Sequence, residues 1–307
     1  MDYKKIIKSR AVRINIMKAL SFVPDKTMLE IQYWIKMGRK LNLKNPQRYT
    51  EKLQWYKLYY RDPLMAQCVD KYEVRKYVES CGLGDTLNEC IGVYNSPDEI
   101  DFDTLPNQFV LKDTLGGGGN GVIICKDKST LDISRPGCSS DLDIPRAVDT
   151  MRDWVKPASG KHPGREWVYD CGKNRIVAER YIPSDPEKGG LIDYKFFYFN
   201  GKLAYVYGIA DRKLGQRSGL GIFSPDFELL PYTRLDEKPL ERTLEKPANY
   251  EKLKAVAEKL AAPFPHARID LYDQDGKILF GEITFFDGSG YMKFDPDEFD
   301  FMMGSKF

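Results

Sequence analysis

Over the first eighty residues, apolar positions recur at helical spacing. In KKIIKSRAVRINIMKALSF (4–22), Ile7, Ala11, Ile14 and Met17 fall on one side of a basic amphipathic helix. TMLEIQYWIKMGRKL spaces Met28, Ile31, Ile35 and Leu41 along a second helical stripe, and PQRYTEKLQWYKLYY offers Thr50 as a cap ahead of Leu53, Tyr56 and Leu58. DPLMAQCVDKYEVRKYVESCG reads as one further helix, starting after Pro63 and ending at Gly82.

From residue 106 the period shortens to that of strands. PNQFVLKD carries Lys112 into TLGGGGNGVIIC, where Gly116 to Gly119 and Gly121 lie between two strand-like runs. Such a hairpin tip lets the backbone approach phosphates closely, but it is not a P-loop, because the GK[ST] ending and the following helix are missing. The Ser-, Pro-, Gly- and Asp-rich section 129–165, apart from PRAVDTMRDWV, predicts a surface excursion containing one helix. RIVAERYIPSD resumes the strand pattern, with Glu179 at its end and Pro183 stopping it. LIDYKFFYFNGKLAYVYGIADR predicts a hairpin turning at Asn200-Gly201, with Asp193 and Lys195 on one face.

The last block, HARIDLYDQDGKILFGEITFFDGSG (266–290), predicts a second hairpin turning at Asp275-Gly276. Alternation puts Arg268 and Asp270 on one face of its first strand, and Glu282 and Thr284 on one face of its second. Taken alone, the four side chains fit two descriptions: the exposed polar face of an ordinary hairpin, or a site for a hard metal ion carrying phosphate.

Composition narrows the setting. A chain of 307 residues with 42% hydrophobic and 30% charged content is a soluble globular protein of one large or two smaller domains. Its six cysteines never approach CxxC spacing and its only histidines are His162 and His266, so a zinc site is not expected and the thiols suit a reducing cytosol. With no apolar run of about 18 residues and no signal-peptide core, neither a spanning segment nor export is expected. The net charge of +2 hides an asymmetry: residues 1–61 hold 15 Lys+Arg against 4 Asp+Glu, and the remainder 32 against 41. The basic region suits an anionic membrane surface or glycan, contacted through residues 1–20, or else a solvated face on a packed helix. No nucleic-acid module follows it, so no nucleic-acid partner is expected.

The ordered motifs DKYEVR, FVLKDTLGGGGNGV, IVAERYI, DYKFFYFNGK, ARID and GEITFFDGSG resemble the ATP-grasp superfamily. NPQRYTEKLQWYKLYYRDP and CVDKYEVRKYV are similar to its TupA-like branch, named for teichuronopeptide biosynthesis and often found among surface-polysaccharide genes. The resemblance runs from about residue 45 onward. It implies an α+β ATP-grasp fold in which two subdomains, 62–178 and 179–307, grip ATP behind a basic helical region, 1–61. It implies an ATP- and Mg²⁺-dependent, ADP-producing carboxylate–amine ligase acting through an acyl phosphate.

On this resemblance Lys71 and Lys112 meet phosphates, and Gly116, Gly117, Gly118 and Gly119 form the flap over them. Glu179, Arg180 and Ile182 form the hinge that holds adenine, through the Arg180 carbonyl and the Ile182 amide. Asp193 binds the ribose, and Lys195 faces phosphate or acceptor. Arg268 neutralises the transferring phosphoryl group and the tetrahedral intermediate. Asp270 and Glu282 hold Mg²⁺, with Thr284 standing where the commonest pattern has asparagine. Ser289 and Gly290, with Arg212, take the substrate carboxylate. Family context points to a uronic-acid or glutamyl carboxylate of a bacterial surface polysaccharide, and to a cytoplasmic enzyme, with the inner membrane face as a second location. The rivals are a kinase acting on a sugar or glycan hydroxyl, and a non-catalytic nucleotide-binding partner in a capsule-synthesis complex.

Overall fold

Strand alternation and turn chemistry resolve into two largely antiparallel sheets with helices packed on them. The computed structural model describes residues 9–117, 121–128, 143–157, 160–211 and 217–307. The first sheet has the order β1-β4-β2-β3, from β1 (Cys90–Tyr94), β2 (Phe109–Asp113), β3 (Val122–Cys125) and β4 (Ile176–Arg180). The second has the order β11-β10-β5-β6-β7-β9, from β5 (Asp193–Phe199), β6 (Lys202–Ala210), β7 (Gly219–Phe223), β9 (Lys238–Pro239), β10 (His266–Gln274) and β11 (Lys277–Thr284). A two-stranded ribbon pairs β8 (Thr233–Arg234) with β12 (Phe294–Asp295). Both expected hairpins form. Asn200 and Gly201 turn with φ of 48° and 74°, Asp275 and Gly276 with 50° and 89°, the left-handed pair that matches strand twist.

Strand β5 is buried on both faces, which explains its nearly unbroken apolar run YKFFYF. Phe196 and Tyr198 join Leu253, Ala257 and Leu260 of α7 (Tyr250–Ala261). Phe197 and Phe199 face the other way, onto Tyr49 and Leu53 of α3 (Tyr49–Tyr59) and Phe299 and Met303 of α8 (Glu298–Gly304). Each such side chain stabilises the fold by about 1.5–3 kcal/mol. In the first sheet, Phe109, Leu111, Ile176 and Ala178 pack under Ala147 and Met151 of α6 (Ile144–Trp154).

Four local expectations are corrected. Thr50 is not the cap of α3: the N-cap is Arg48, because Glu51 reaches back to the amides of Gln47 and Arg48 at 3.0 and 3.2 Å. Thr50 instead bonds Asp300 through its amide at 2.9 Å and its hydroxyl at 2.8 Å. Residues 63–82 form two helices, α4 (Pro63–Val69) and α5 (Val74–Ser80). The Asp70 carboxylate accepts from the Tyr72 and Glu73 amides at 2.8 and 3.0 Å, a local turn that competes with the helix.

In α2 (Asp25–Met37), the inward face is Met28, Leu29, Gln32, Tyr33 and Met37, leaving Ile31 and Ile35 exposed. In α1 (Arg10–Ala19), Ile14 and Met17 are half-buried as their spacing predicts. Finally, the described end of the excursion does not stay on the surface: Gly164 and Arg165 are buried, as are Glu166 and Val168 just beyond it. Side chains from the N-terminal helices satisfy that loop's carbonyls, so a segment with no apolar period is buried through polar contacts.

Candidate active site

The register of β10 and β11 sets Arg268 opposite Thr284 and Asp270 opposite Glu282, while β5 sets Lys195 opposite Asp270. Alternation then points Arg268, Asp270, Glu282, Thr284, Lys195 and Asp193 to one side of the sheet. This is no solvated polar face: Asp270 is only 1% exposed, and Arg268, Asp193 and Lys195 are buried. The site opens at Glu282, whose side chain is 42% exposed.

Arg268 is the hub. Its Nε donates to Asp270 Oδ1 at 2.7 Å, and its Nη2 to Asp270 Oδ2 at 2.8 Å, Glu282 Oε1 at 2.8 Å and Thr284 Oγ1 at 2.9 Å. Its Nη1 donates to Asp287, whose other oxygen accepts from Arg234 at 3.0 Å. Lys195 donates to Asp270 and pairs with Asp193 at 2.7 Å. Burial opposes ionisation of Glu282, but Arg268, Lys195 and Lys71 hold its pKa down to about 2. Burial likewise works against Asp287, and Arg234 and Arg268 keep it below the usual range. Asp270 is pushed up by burial, with Arg268 and Lys195 pulling the other way.

On the first sheet, Lys112 of β2 reaches diagonally to Glu179 of β4 at 2.6 Å. Burial raises the Glu179 pKa, and Lys112 more than offsets this to hold it low. Asn88 donates to the Arg180 carbonyl at 2.8 Å and approaches Glu179 at 3.5 Å; the Arg180 side chain turns out to Glu89. Ile182 lies half-buried just beyond β4.

Lys71 sits in the turn that separates α4 from α5, outside either helix. Its amide bonds the Thr114 carbonyl at 2.9 Å and its ammonium the Gly116 carbonyl, at the root of the glycine-rich tip. Burial lowers its pKa, opposed by Glu282, Asp113 and Glu179, so Lys71 stands electrostatically between the two sheets. At Gly116 a Cβ would come within 2.9 Å of the Asp113 side chain, so any larger residue there would force Asp113 to shift. Gly117 is described; Gly118, Gly119 and Arg212 lie outside the described residues.

Ser289 and Gly290 follow β11 in a turn whose residues 288, 289 and 290 all have left-handed φ, 49°, 55° and 68°. The Ser289 carbonyl accepts from Gln54 at 3.1 Å and Lys57 at 2.8 Å. Asp287, Arg234, Asn88, Lys57 and Glu166 join these contacts without a role that the sequence alone indicates. Asp287 stood inside the motif FFDGSG, which was the available signal; Arg234 follows no hydrophobic period.

Oxygens of Asp270, Glu282 and Thr284 converge within 2.8–2.9 Å of one positively charged nitrogen, Arg268 Nη2. Two carboxylates and a hydroxyl are the hard oxygen donors that Mg²⁺ takes, but in this arrangement the Arg268 guanidinium engages all three residues, and only the more exposed Glu282 presents an oxygen toward the opening. Among the described residues, no group of three or more His, Cys, Asp or Glu could hold a metal by itself.

The family model for TupA-like ATPgrasp matches residues 51–307. Among solved structures, D-alanine–D-alanine ligase from Bacillus anthracis is 19% identical, covering 71% of this chain and 57% of that one, with a TM-score of 0.43. The ADP complex of purK, N5-carboxyaminoimidazole ribonucleotide synthetase, is 14% identical, covering 76% and 50%, with a TM-score of 0.44. The ATP-grasp ligase PsnB complexed with minimal precursor is 12% identical, covering 87% and 67%, with a TM-score of 0.39. The chain thus spans about half the length of the first two. No curated protein matches it. With the family model covering 51–307, including both sheets and the Arg268 cluster, the chain belongs to the TupA-like ATP-grasp family and has an α+β ATP-grasp fold.

Proposed function

We propose that the protein is an ATP-dependent carboxylate–amine ligase. The observation that carries this is the buried cluster in which Arg268 and Lys195 hold Asp270 and Arg268 also holds Glu282, beside a second sheet whose Lys112 holds Glu179 and whose glycine-rich tip is rooted on Lys71. It supplies fixed cations for a polyanionic nucleotide and paired carboxylates for its metal.

In this reading Glu179, Arg180 and Ile182 take adenine, and Asp193 the ribose while also orienting Lys195. Lys71 and Lys112 bind phosphates beneath the tip that begins at Gly116, Gly117, Gly118 and Gly119. Asp270, Glu282 and Thr284 would hold Mg²⁺, which when bound neutralises charge on the transferring phosphoryl group. A substrate carboxylate at Ser289, Gly290 and Arg212 attacks the γ-phosphorus, and the bond to the β-phosphate oxygen breaks to release ADP. The amine then attacks the acyl carbon, and phosphate leaves. Arg268 neutralises oxygen charge in both steps. Closure of the tip would keep water from the acyl phosphate.

The acceptor class we infer is a uronic-acid or glutamyl carboxylate of a surface polysaccharide, in keeping with the family. The basic N-terminal region would bring the enzyme to the anionic inner face of the membrane. Support comes from exposed Phe22, Ile31 and Trp34 beside that charge. Among the described residues no helix is long and apolar enough to cross a membrane.

The deciding experiment screens ADP release over paired carboxylates and amines, with mass spectrometry of the product. A requirement for both partners supports the ligase. A stable phosphorylated product without an amine would replace it with a kinase, and ADP binding without turnover would replace it with a binding role.

A further inference from the structure

Lys57 of α3 lies outside every group assigned above. Its side chain is fully buried, and its ammonium donates to the Gly164 carbonyl at 2.9 Å, the Ser289 carbonyl at 2.8 Å and the Ser289 hydroxyl at 2.9 Å. An ammonium has three donors, and these contacts use three acceptors. The nearest carboxylate, Glu166, is 3.6 Å away. Burial lowers the Lys57 pKa to about 8, against the pull of Glu166. A buried cation is costly, and an apolar side chain of similar length would fill the space without that cost. What Lys57 holds therefore matters more than what it adds to stability.

It holds two loops together. Gly164 belongs to the segment between α6 and β4, and a Cβ there would come within 2.6 Å of Ser289 Oγ. Ser289 lies in the turn after β11 with a φ of 55°, a conformation that non-glycine residues keep only when their surroundings impose it. One turn earlier on α3, Gln54 donates to the carbonyls of Ser289 and Gly290 at 3.1 and 2.9 Å. Two residues before Ser289 stands Asp287, which binds both Arg268 and Arg234.

We propose that Lys57 is a positioning residue. By gathering the Ser289 carbonyl, the Ser289 hydroxyl and the Gly164 carbonyl on one buried ammonium, it fixes the 287–290 turn on the acceptor side and, through Asp287, the pose of Arg268. The basic helical region thereby contributes to the site itself. The acceptor-side meaning of the turn rests on the ligase reading; the mechanical claim does not.

The test uses the full chain with Lys57→Met and Ser289→Ala, the second removing one of the three acceptors. Three quantities are compared: amide hydrogen exchange by mass spectrometry, ADP affinity, and ADP release from Mg-ATP in the presence of the carboxylate–amine pair that the screen above gives. For Lys57→Met, exchange should rise at least tenfold in 162–166 and 287–291 and stay unchanged in β2 and β4. ADP affinity and the KM for ATP should hold within about twofold while kcat falls at least tenfold. Ser289→Ala should move the same quantities less. Wild-type protection of both segments in the variants would overturn the proposal, as would ADP affinity falling in parallel with turnover. If Lys57→Met does not fold, Ser289→Ala decides by the same criteria. If the wild-type chain releases no ADP with any carboxylate–amine pair, the ligase reading fails, and the exchange data still decide whether Lys57 fixes the turn.

Discussion

Glu282 is the residue where environment and chemistry meet most directly. It is the most open member of the Arg268 cluster, and three cations hold its pKa near 2, so it is ionised throughout the working range. Glu282→Gln keeps the shape and removes the charge. Turnover should fall roughly 10²-fold or more, with the thermal midpoint little changed, in a coupled ADP-release assay beside a melting curve. Near-normal turnover would sink the metal assignment.

His266, four residues before Asp270 on the same strand, makes a separate point about stability. It is buried against Phe199, bonds the Tyr198 carbonyl and the Tyr49 hydroxyl, and burial lowers its pKa from 6.5 to about 4. A depressed histidine pKa means that the unfolded chain binds the proton first as pH falls. The neutral ring's contribution is thus complete above pH 6.5 and is lost between 6.5 and 4. Urea titrations should show about 3 kcal/mol lost from this group across that window, and His266→Gln should flatten that part of the profile. An unchanged slope in the variant would assign the loss to other groups.

At the scale of elements, α2 shows why its function is harder to read than its existence. The helix buries Met28, Leu29, Tyr33 and Met37, yet Ile31 and Ile35 at 31, 35 and Trp34 between them form a second apolar stripe facing solvent, with Trp34 62% exposed. Phe22, between α1 and α2, is 81% exposed. Lys26 and Lys40 flank them in the sequence, as the membrane contact proposed above requires. Sedimentation with phosphatidylglycerol vesicles should capture the protein at low salt and release it as salt rises. Replacing Phe22 and Trp34 by serine should weaken capture by roughly tenfold or more, since each buried aromatic contributes about 1.5–3 kcal/mol. Equal capture of wild type and variant, or none at all, would leave this stripe without a membrane role.

The same scale shows what the sequence can reveal. The turn and both strands of the final hairpin are legible, but its cross-strand register is not: counting from Asp275-Gly276 by strict alternation pairs Ile269 with Glu282, and a bulge between Asp270 and Leu271 resets the register so that Asp270 faces Glu282 and Arg268 faces Thr284. The break at Asp70 was not legible, because an Asx turn inside an apolar run leaves the helical spacing intact. Lys57 was not legible either: on a helix rich in lysine, only tertiary structure distinguishes a buried ammonium from a solvated one. Asp287 and Arg234 come from segments without periodicity, where pairing is decided by contacts between distant parts of the chain.

For the whole molecule, the nucleotide site proposed above would be shared by two sheets. Lys112 and Glu179 belong to one sheet, Lys195, Arg268 and Glu282 to the other, and Lys71 lies electrostatically between them. A nucleotide bound there stabilises only the folded state, by RT ln(1 + [L]/Kd), about 2.7 kcal/mol at a hundredfold excess over Kd. Lys112→Ala acts twice. It leaves the buried Glu179 without its 2.6 Å partner, lowering the stability of the free protein, and it removes a phosphate cation, weakening binding. Melting temperature alone would confuse the two effects. The difference between melts with and without ADP and Mg²⁺ separates them, because the loss of the Lys112–Glu179 pair is common to both. That difference should shrink in Lys112→Ala by the equivalent of about 1.4 kcal/mol for each tenfold loss of affinity. A variant that melts earlier but keeps the full ligand-induced shift would confine Lys112 to holding Glu179 and remove it from the nucleotide site.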